Sequence, residues 1–245
     1  AGWPASMIDV IDPHPADALR ADAARQGFTL NPTRPAAAKL VLLAIKPQML
    51  DSAAATLAPH VTPETVLVSI LAGKSIADLK ARLPGLRKLV RAMPNTPAAI
   101  GRGITGAYAT STLDDAEKAS VQALLATTGR VEWIASEALI DAVTAVSGSG
   151  PAYVFHLVEA LAKAGEDVGL PADLAMRLAR ATIEGAGELL FQEAATPPST
   201  LRQNVTSPGG TTAAALEVLM APDGLSPLMA RAVKAAKARA KALAG

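Results

Sequence analysis

The stretch TVLVSILAGKSIADLKARLPGLRKLVRAMPNTP, residues 65–97, decides the fold. TVLVSI at 65–70 is a continuous β-branched and aliphatic run, the pattern of a strand buried on both faces. LAG at 71–73 turns the chain, and a helix is expected from Ser75 to Arg82. KLVRAM at 88–93 is a second strand, cut off by Pro94. Strand, helix and strand at this spacing form a βαβ unit, which implies parallel strands and a right-handed crossover.

The same alternation extends in both directions. Upstream, MIDVI at 7–11 reads as a strand, 15–26 as a helix ended by Gly27, LVLLAI at 40–45 as a doubly buried strand, and 48–57 as a helix. Downstream, 103–109 is a further strand, 114–127 a helix with acidic residues in its first turn, and 131–134 a last short strand. The first half is therefore expected to be a Rossmann-like, doubly wound parallel sheet with helices on both faces.

From Glu137 onward no strand pattern appears. Residues 139–146, 152–168, 172–193, 201–204, 211–220 and 225–244 suit helices, with breaks at SGSGP (147–151), GLP (169–171), TPP (196–198) and SPGG (207–210). The expected division is a dinucleotide-binding domain over 1–136 and an all-helical domain over 137–245.

Composition narrows the partners. Lys plus Arg is 23 and Asp plus Glu is 22, so no overall charge draws the chain to nucleic acid or to an anionic membrane. The sequence has no cysteine, which excludes disulfides and thiol chemistry and fits a reducing cytoplasm. His14, His60 and His156 are scattered without metal-ligand spacing. The longest apolar run, 40–45, is too short to span a bilayer, and no secretory signal is legible in AGWPASMIDV.

In a doubly wound sheet, ligands bind outside the carboxyl ends of the strands. Those ends are Asp12-Pro13, Ala44-Ile45-Lys46-Pro47, Leu71-Ala72-Gly73 and the MPNTP segment with Asn95. Asp12 has two readings: an acceptor for the ribose 2′-hydroxyl of NAD, or the residue that shapes the Asp-Pro turn or caps the next helix. The second cluster is NVTSPGGTT at 204–212. Two glycines and hydroxyl residues before a helix make a nest of free N–H groups that suits a carboxylate. Taken alone, SPGG is usually only an ordinary turn between helices with a Thr cap.

Four segments together resemble one family, pyrroline-5-carboxylate reductase. They are VLLAIKPQML (41–50), RAMPNTPAAIGRG (91–103), LIDAVTAVSGSGPAYVF (139–155) and LRQNVTSPGGTTAAALEVL (201–219), and the likeness runs along essentially the whole chain. The resemblance implies reduction of 1-pyrroline-5-carboxylate to L-proline by hydride transfer from NADPH or NADH. It implies dinucleotide contacts at Asp12, Ala44, Ile45, Lys46, Pro47, Leu71, Ala72, Gly73 and Asn95. It assigns the substrate carboxylate to Ser207, Gly209, Gly210, Thr211 and Thr212, with the Thr212 hydroxyl reaching the ring nitrogen. It also implies a homodimer or larger ring of dimers through the helical half, one chain's cofactor domain working with the other's substrate loop.

The family opens with a strand and a glycine-rich loop. This sequence begins where the following helix ends, so about 20 residues are expected to be absent, with weaker cofactor binding as the consequence. Residues 7–11 and 41–45 would flank that strand.

Asp12 stands where the family usually has a small or polar residue, which leaves NAD against NADP open. Arg34 and Glu193 read as surface charges, and Tyr153 and His156 as core packing. The glycines of 147–151 read as points of close approach to cofactor or partner helix. Two rivals remain. A β-hydroxyacid dehydrogenase places a lysine in the interdomain helix, and residues 139–153 contain none. A non-catalytic relative would bind a metabolite or a partner instead.

Overall fold

The computed structural model describes residues 2–33 and 36–244. Its contacts divide into two compact units: one runs to Ile140 and includes the chain end from Leu243, the other is Asp141–Ala242.

In the first unit, β1 (Asp9–Val10) and β2 (Thr29–Leu30) form a small parallel pair joined by α1 (Asp17–Gln26). Gly27 ends α1 in the left-handed conformation, as a residue without Cβ can. A second sheet contains β3 (Leu40–Leu43), β4 (Val66–Ser69), β5 (Lys88–Met93), β6 (Gly103–Ala109) and β7 (Gly129–Trp133), in that order. The crossover helices are α2 (Leu50–Leu57) and α3 (Ile76–Arg82), and α4 (Asp115–Leu125) precedes β7.

The strand patterns explain the layers. Every residue of β4 is buried. Leu67 faces a core with Leu43, Leu50, Leu79 and Leu89, where α2 and α3 lie. Val66 and Val68 face the opposite core, with Val90, Ala107, Val121 and Leu125 of β5, β6 and α4. Period-two side chains and helices on both faces make the doubly wound arrangement.

Three expectations are corrected. β3, β4 and β5 are mutually parallel, but β6 runs antiparallel to β5, and β7 follows β6. The link from β5 to β6 holds only a short 3₁₀ turn, Thr96–Ile100, whereas a parallel return needs a crossover of about a dozen residues or more. β3 is not buried on both faces: it is an edge strand, and Leu42 is 43% exposed. The strand expected over 7–11 shrinks to Asp9–Val10, because Ala5–Met7 forms a 3₁₀ turn. Among the described residues β1 pairs only with β2 and β3 only with β4, so each has one edge without a strand partner there.

After β7 the described chain contains no strand. A 3₁₀ turn (Glu137–Leu139) leads into α5 (Ile140–Val143), then a π-helical turn (Thr144–Gly148), then α6 (Gly150–Asp167), α7 (Ala172–Gln192), α8 (Pro198–Asn204), α9 (Thr211–Leu219) and α10 (Leu225–Ala244). The break expected at 147–151 is therefore a change of helical pitch. The wide turn frees carbonyls, and side chains take them up. Ser147 Oγ donates to the Val143 carbonyl at 3.0 Å, and Tyr153 donates to the Ala145 carbonyl at 3.0 Å. Pro151 lies in the first turn of α6, where its missing N–H costs nothing.

Glu137 fastens the start of this helical run to the sheet. Its Oε1 accepts from Nη1 of buried Arg91 on β5 at 2.9 Å and from the N–H of Ile76 at 2.8 Å. A guanidinium so enclosed needs such a partner. No helix among the described residues is long and apolar enough to cross a membrane.

Candidate functional site

The register of the parallel strands sets one edge of the first unit. Leu43 of β3 is opposite Ser69 of β4, and Ser69 is opposite Arg91 of β5. Ala44-Ile45-Lys46-Pro47, Leu71-Ala72-Gly73 and Asn95 therefore all leave the sheet at its carboxyl edge, where ligands of such sheets bind.

Their side chains differ in what they offer. Ala44 and Ala72 are small and exposed. Gly73 has φ 71°, a conformation that costs a side chain about 1–2 kcal/mol, and the Leu243 main chain packs against it, so closely that a Cβ there would lie 2.9 Å from the Leu243 carbonyl oxygen. Leu71 is buried in the core and Ile45 packs against it, which leaves both only main-chain groups to present. Lys46 is exposed ahead of the 3₁₀ turn Pro47–Met49, and its carbonyl accepts from Met49. Asn95 spends its Oδ1 on the N–H of Ile104 at 2.9 Å, so it holds the start of β6 and has only its amide nitrogen to give.

The turn at 71–73 is itself braced. Ser75 caps α3 through the N–H of Asp78, and the Asp78 carboxylate accepts back from the Ser75 N–H at 2.8 Å and hydroxyl at 2.6 Å. The Ser75 hydroxyl bond is the main reason that Asp78 ionises below the usual carboxylate value; partial burial opposes it.

Asp12 follows the carboxyl end of β1. Both of its main-chain groups are held by the Asn31 side chain: the Asp12 N–H donates to Asn31 Oδ1 at 2.9 Å, and Asn31 Nδ2 donates to the Asp12 carbonyl at 2.7 Å. Asp12 Oδ1 accepts from the His14 N–H at 2.8 Å across Pro13. Of the structural roles open to Asp12, the turn is real and the helix cap is not, since α1 has no side-chain cap. Asn31 was invisible in the sequence reading, as was the two-residue strand β2 before it. The usable signal was an asparagine, which tolerates the left-handed region, following a short apolar run.

The second cluster lies wholly in the helical unit. Gly209 has φ 69°, and the Gly210 N–H donates to the Ser207 carbonyl at 3.0 Å. Gly210 is the N-cap of α9, and no side chain caps that helix. The N–H groups of Thr211, Thr212 and Ala213 open the first turn and have no partner inside the helix. Ser207 and Thr211 are exposed and Thr212 is half-buried. Thr206 below them is tied to the Arg202 carbonyl at 2.6 Å. Open amides at the positive end of a helix dipole, flanked by hydroxyls, receive a carboxylate.

The remaining candidates separate. His156 does not pack in a core: its side chain is exposed and meets Glu159 at 3.1 Å. Tyr153 serves the π-turn. Glu193 caps the end of α7, exposed, and accepts from the Thr196 hydroxyl. Arg34 lies outside the described residues. Among the described residues, no group of three or more His, Asp or Glu side chains is placed to hold a metal ion.

Comparison with known proteins agrees along the chain. A family model described as pyrroline-5-carboxylate reductase dimerisation matches residues 137–243. The pyrroline-5-carboxylate reductase of Pseudomonas aeruginosa is 40% identical over 245 residues, 99% of this chain and 89% of that protein. That of Synechocystis is 41% identical over 205 residues, 84% of this chain and 75% of its own. Among solved structures, a pyrroline-5-carboxylate reductase from Coxiella burnetii superposes with a TM-score of 0.90 at 34% identity, covering 100% of this chain and 91% of that one. The Plasmodium falciparum pyrroline carboxylate reductase, solved with NADP bound, gives 0.74 at 27% identity over 97% of this chain and 87% of that one. With identity of this level over nearly all of its length, the chain belongs to the pyrroline-5-carboxylate reductase family.

Proposed function

We propose that the protein reduces 1-pyrroline-5-carboxylate to L-proline with NADPH or NADH, the last step of proline biosynthesis, and does so in the cytoplasm as a homo-oligomer. Likeness to reductases along 99% of the chain supports the reaction. The observation that carries the substrate assignment is the uncapped first turn of α9 behind the 207–210 turn.

The substrate is a cyclic imine bearing a carboxylate. The open amides of Thr211 and Thr212, with the Ser207 hydroxyl and the backbone of Gly209 and Gly210, hold that carboxylate. The Thr212 hydroxyl is left to meet the ring nitrogen. The dinucleotide is assigned to Asp12, Ala44, Ile45, Lys46, Pro47, Leu71, Ala72, Gly73 and Asn95, mostly through main chain, and the small exposed residues of the edge support that assignment. When bound, the nicotinamide supplies the hydride that adds to the imine carbon. The C=N π pair moves to nitrogen, which carries or gains one proton, so the product is a secondary amine. A protonated imine is already electrophilic. The chain's task is then to orient the ring and exclude other poses, which explains a substrate loop without a catalytic His or Lys.

The test is loss of NAD(P)H absorbance when the full chain meets pyrroline-5-carboxylate, with proline identified as product. Turnover establishes the reading. Binding of the imine without oxidation of either dinucleotide would instead favour the non-catalytic relative.

A further inference from the structure

We infer that Asp12 sets the cofactor preference of this protein toward NADH, its carboxylate accepting the adenosine ribose 2′-hydroxyl and repelling a 2′-phosphate. The inference rests on the dinucleotide site proposed above and deepens it.

Three observations converge on this residue. The first is place. Asp12 lies just past the carboxyl end of β1, and Asn31 just past the carboxyl end of its parallel partner β2. An acidic residue at that edge of a dinucleotide-binding sheet is suited to the ribose hydroxyls.

The second is rigidity. Asn31 brackets Asp12 on both main-chain groups, at 2.9 and 2.7 Å, and adopts φ 52° to do it. It is the one non-glycine residue at positive φ among the described residues. A side chain held in a rarely adopted backbone conformation is thus spent on fixing one exposed turn.

The third is the carboxylate itself. Its Oδ1 takes the His14 N–H at 2.8 Å, which orients the group and leaves Oδ2 to accept from a ligand. No cationic side chain pairs with it among the described residues. An oriented carboxylate accepts from a hydroxyl, whereas a phosphate in the same place sets a second negative charge beside it, and no cation among the described residues pairs with the carboxylate.

One hydroxyl bond to a charged acceptor corresponds to about a ten- to hundredfold change in affinity. Calorimetric titration of the full chain with NADH and with NADPH measures the preference without turnover. The expected result is NADH at least about tenfold tighter than NADPH. Asp12→Asn keeps an acceptor for the His14 N–H while removing the charge, so the turn survives and the preference narrows. Asp12→Ser narrows it further. Asn31→Ala weakens NADH without strengthening NADPH, as expected of a positioning residue.

Tighter NADPH binding by the unmodified chain, or a ratio unmoved by Asp12→Asn and Asp12→Ser, overturns the inference. The companion turnover assay separates the two readings. Preference for NADH without reduction of pyrroline-5-carboxylate leaves this inference standing and removes the reductase function; reduction with NADPH preferred does the reverse. Failure to bind either dinucleotide overturns both.

Discussion

Thr212 is the second residue of α9, half-buried, and its hydroxyl makes no hydrogen bond within the described chain. Removing it therefore breaks nothing in the fold. If it meets the substrate nitrogen or carboxylate, Thr212→Ala forfeits one hydrogen bond to a charged group, about 1.5–3 kcal/mol. The expected outcome is a fall in kcat/KM of roughly ten- to a hundredfold with an unchanged melting temperature. Steady-state kinetics beside thermal unfolding checks both halves, and an unaltered kcat/KM would remove Thr212 from the mechanism. At this scale the sequence was informative where turn-forming residues cluster, as in the turn at 207–210. It was silent where a side chain acts through distance, as Asn31 does on Asp12 across 19 positions.

Ser75 and α3 show what a single element contributes. The capping box satisfies two N–H groups at the helix start and fixes the turn that carries Gly73. Ser75→Ala is expected to cost about 1 kcal/mol of stability, read as a lower denaturant midpoint at constant m. Asp78 adds a pH dependence of known sign. Its folded-state pKa is depressed, so its contribution is fully present above the unfolded carboxylate value of about 3.9 and is lost as pH falls through the lower folded value. Acid unfolding of Asp78→Asn, compared with the parent over that window, should show a smaller loss of stability on acidification. Equal slopes would mean that the Asp78 charge does not contribute. The capping residues Ser75 and Asp114 are short-range signals, which is why the starts of α3 and α4 were legible within a residue. The π-turn at 144–148 was not, because Ser-Gly-Ser-Gly normally marks an interruption and the Ser147 and Tyr153 hydroxyls that take up its carbonyls carry no local signal.

The two units differ in how they are stabilised. The first has two cores of Leu and Val on either face of its sheet. In the second, the buried apolar residues are Ala145, Ala162, Ala175 and Ala179, while Phe155 is 64% exposed and Leu157, Leu161, Leu189 and Phe191 are also exposed. Small residues let α6 and α7 approach closely, Gly165 against Ala175, but they bury little area. Large apolar side chains left outside a helical unit mark a surface that another chain covers. This agrees with self-association through the region that matches the family's dimerisation model. Phe155→Asp should therefore shift the protein toward monomer in light scattering at micromolar concentration. A well-folded monomer of the unmodified chain at that concentration would defeat the dimer, and an unshifted Phe155→Asp would place the interface elsewhere.

The order and type of the longer elements followed from the chain alone, while the two-residue strand β2 and the π-turn at 144–148 did not. Period-two apolar runs, proline stops and capping residues act over a few positions, and β5 at Lys88–Met93 and α10 at Leu225–Ala244 fall where those signals place them. The turn before α9 was legible for the same reason. What only the tertiary structure decided depends on neighbours distant in sequence. The antiparallel turn of β6 depends on which edge is left for it, the exposure of Leu42 on β3 being an edge strand, and the direction of the Asp12 carboxylate on an asparagine from the next strand. Hydrogen bonds across a sheet edge and burial against a second layer are set by which chains come together. No local run of residues encodes them.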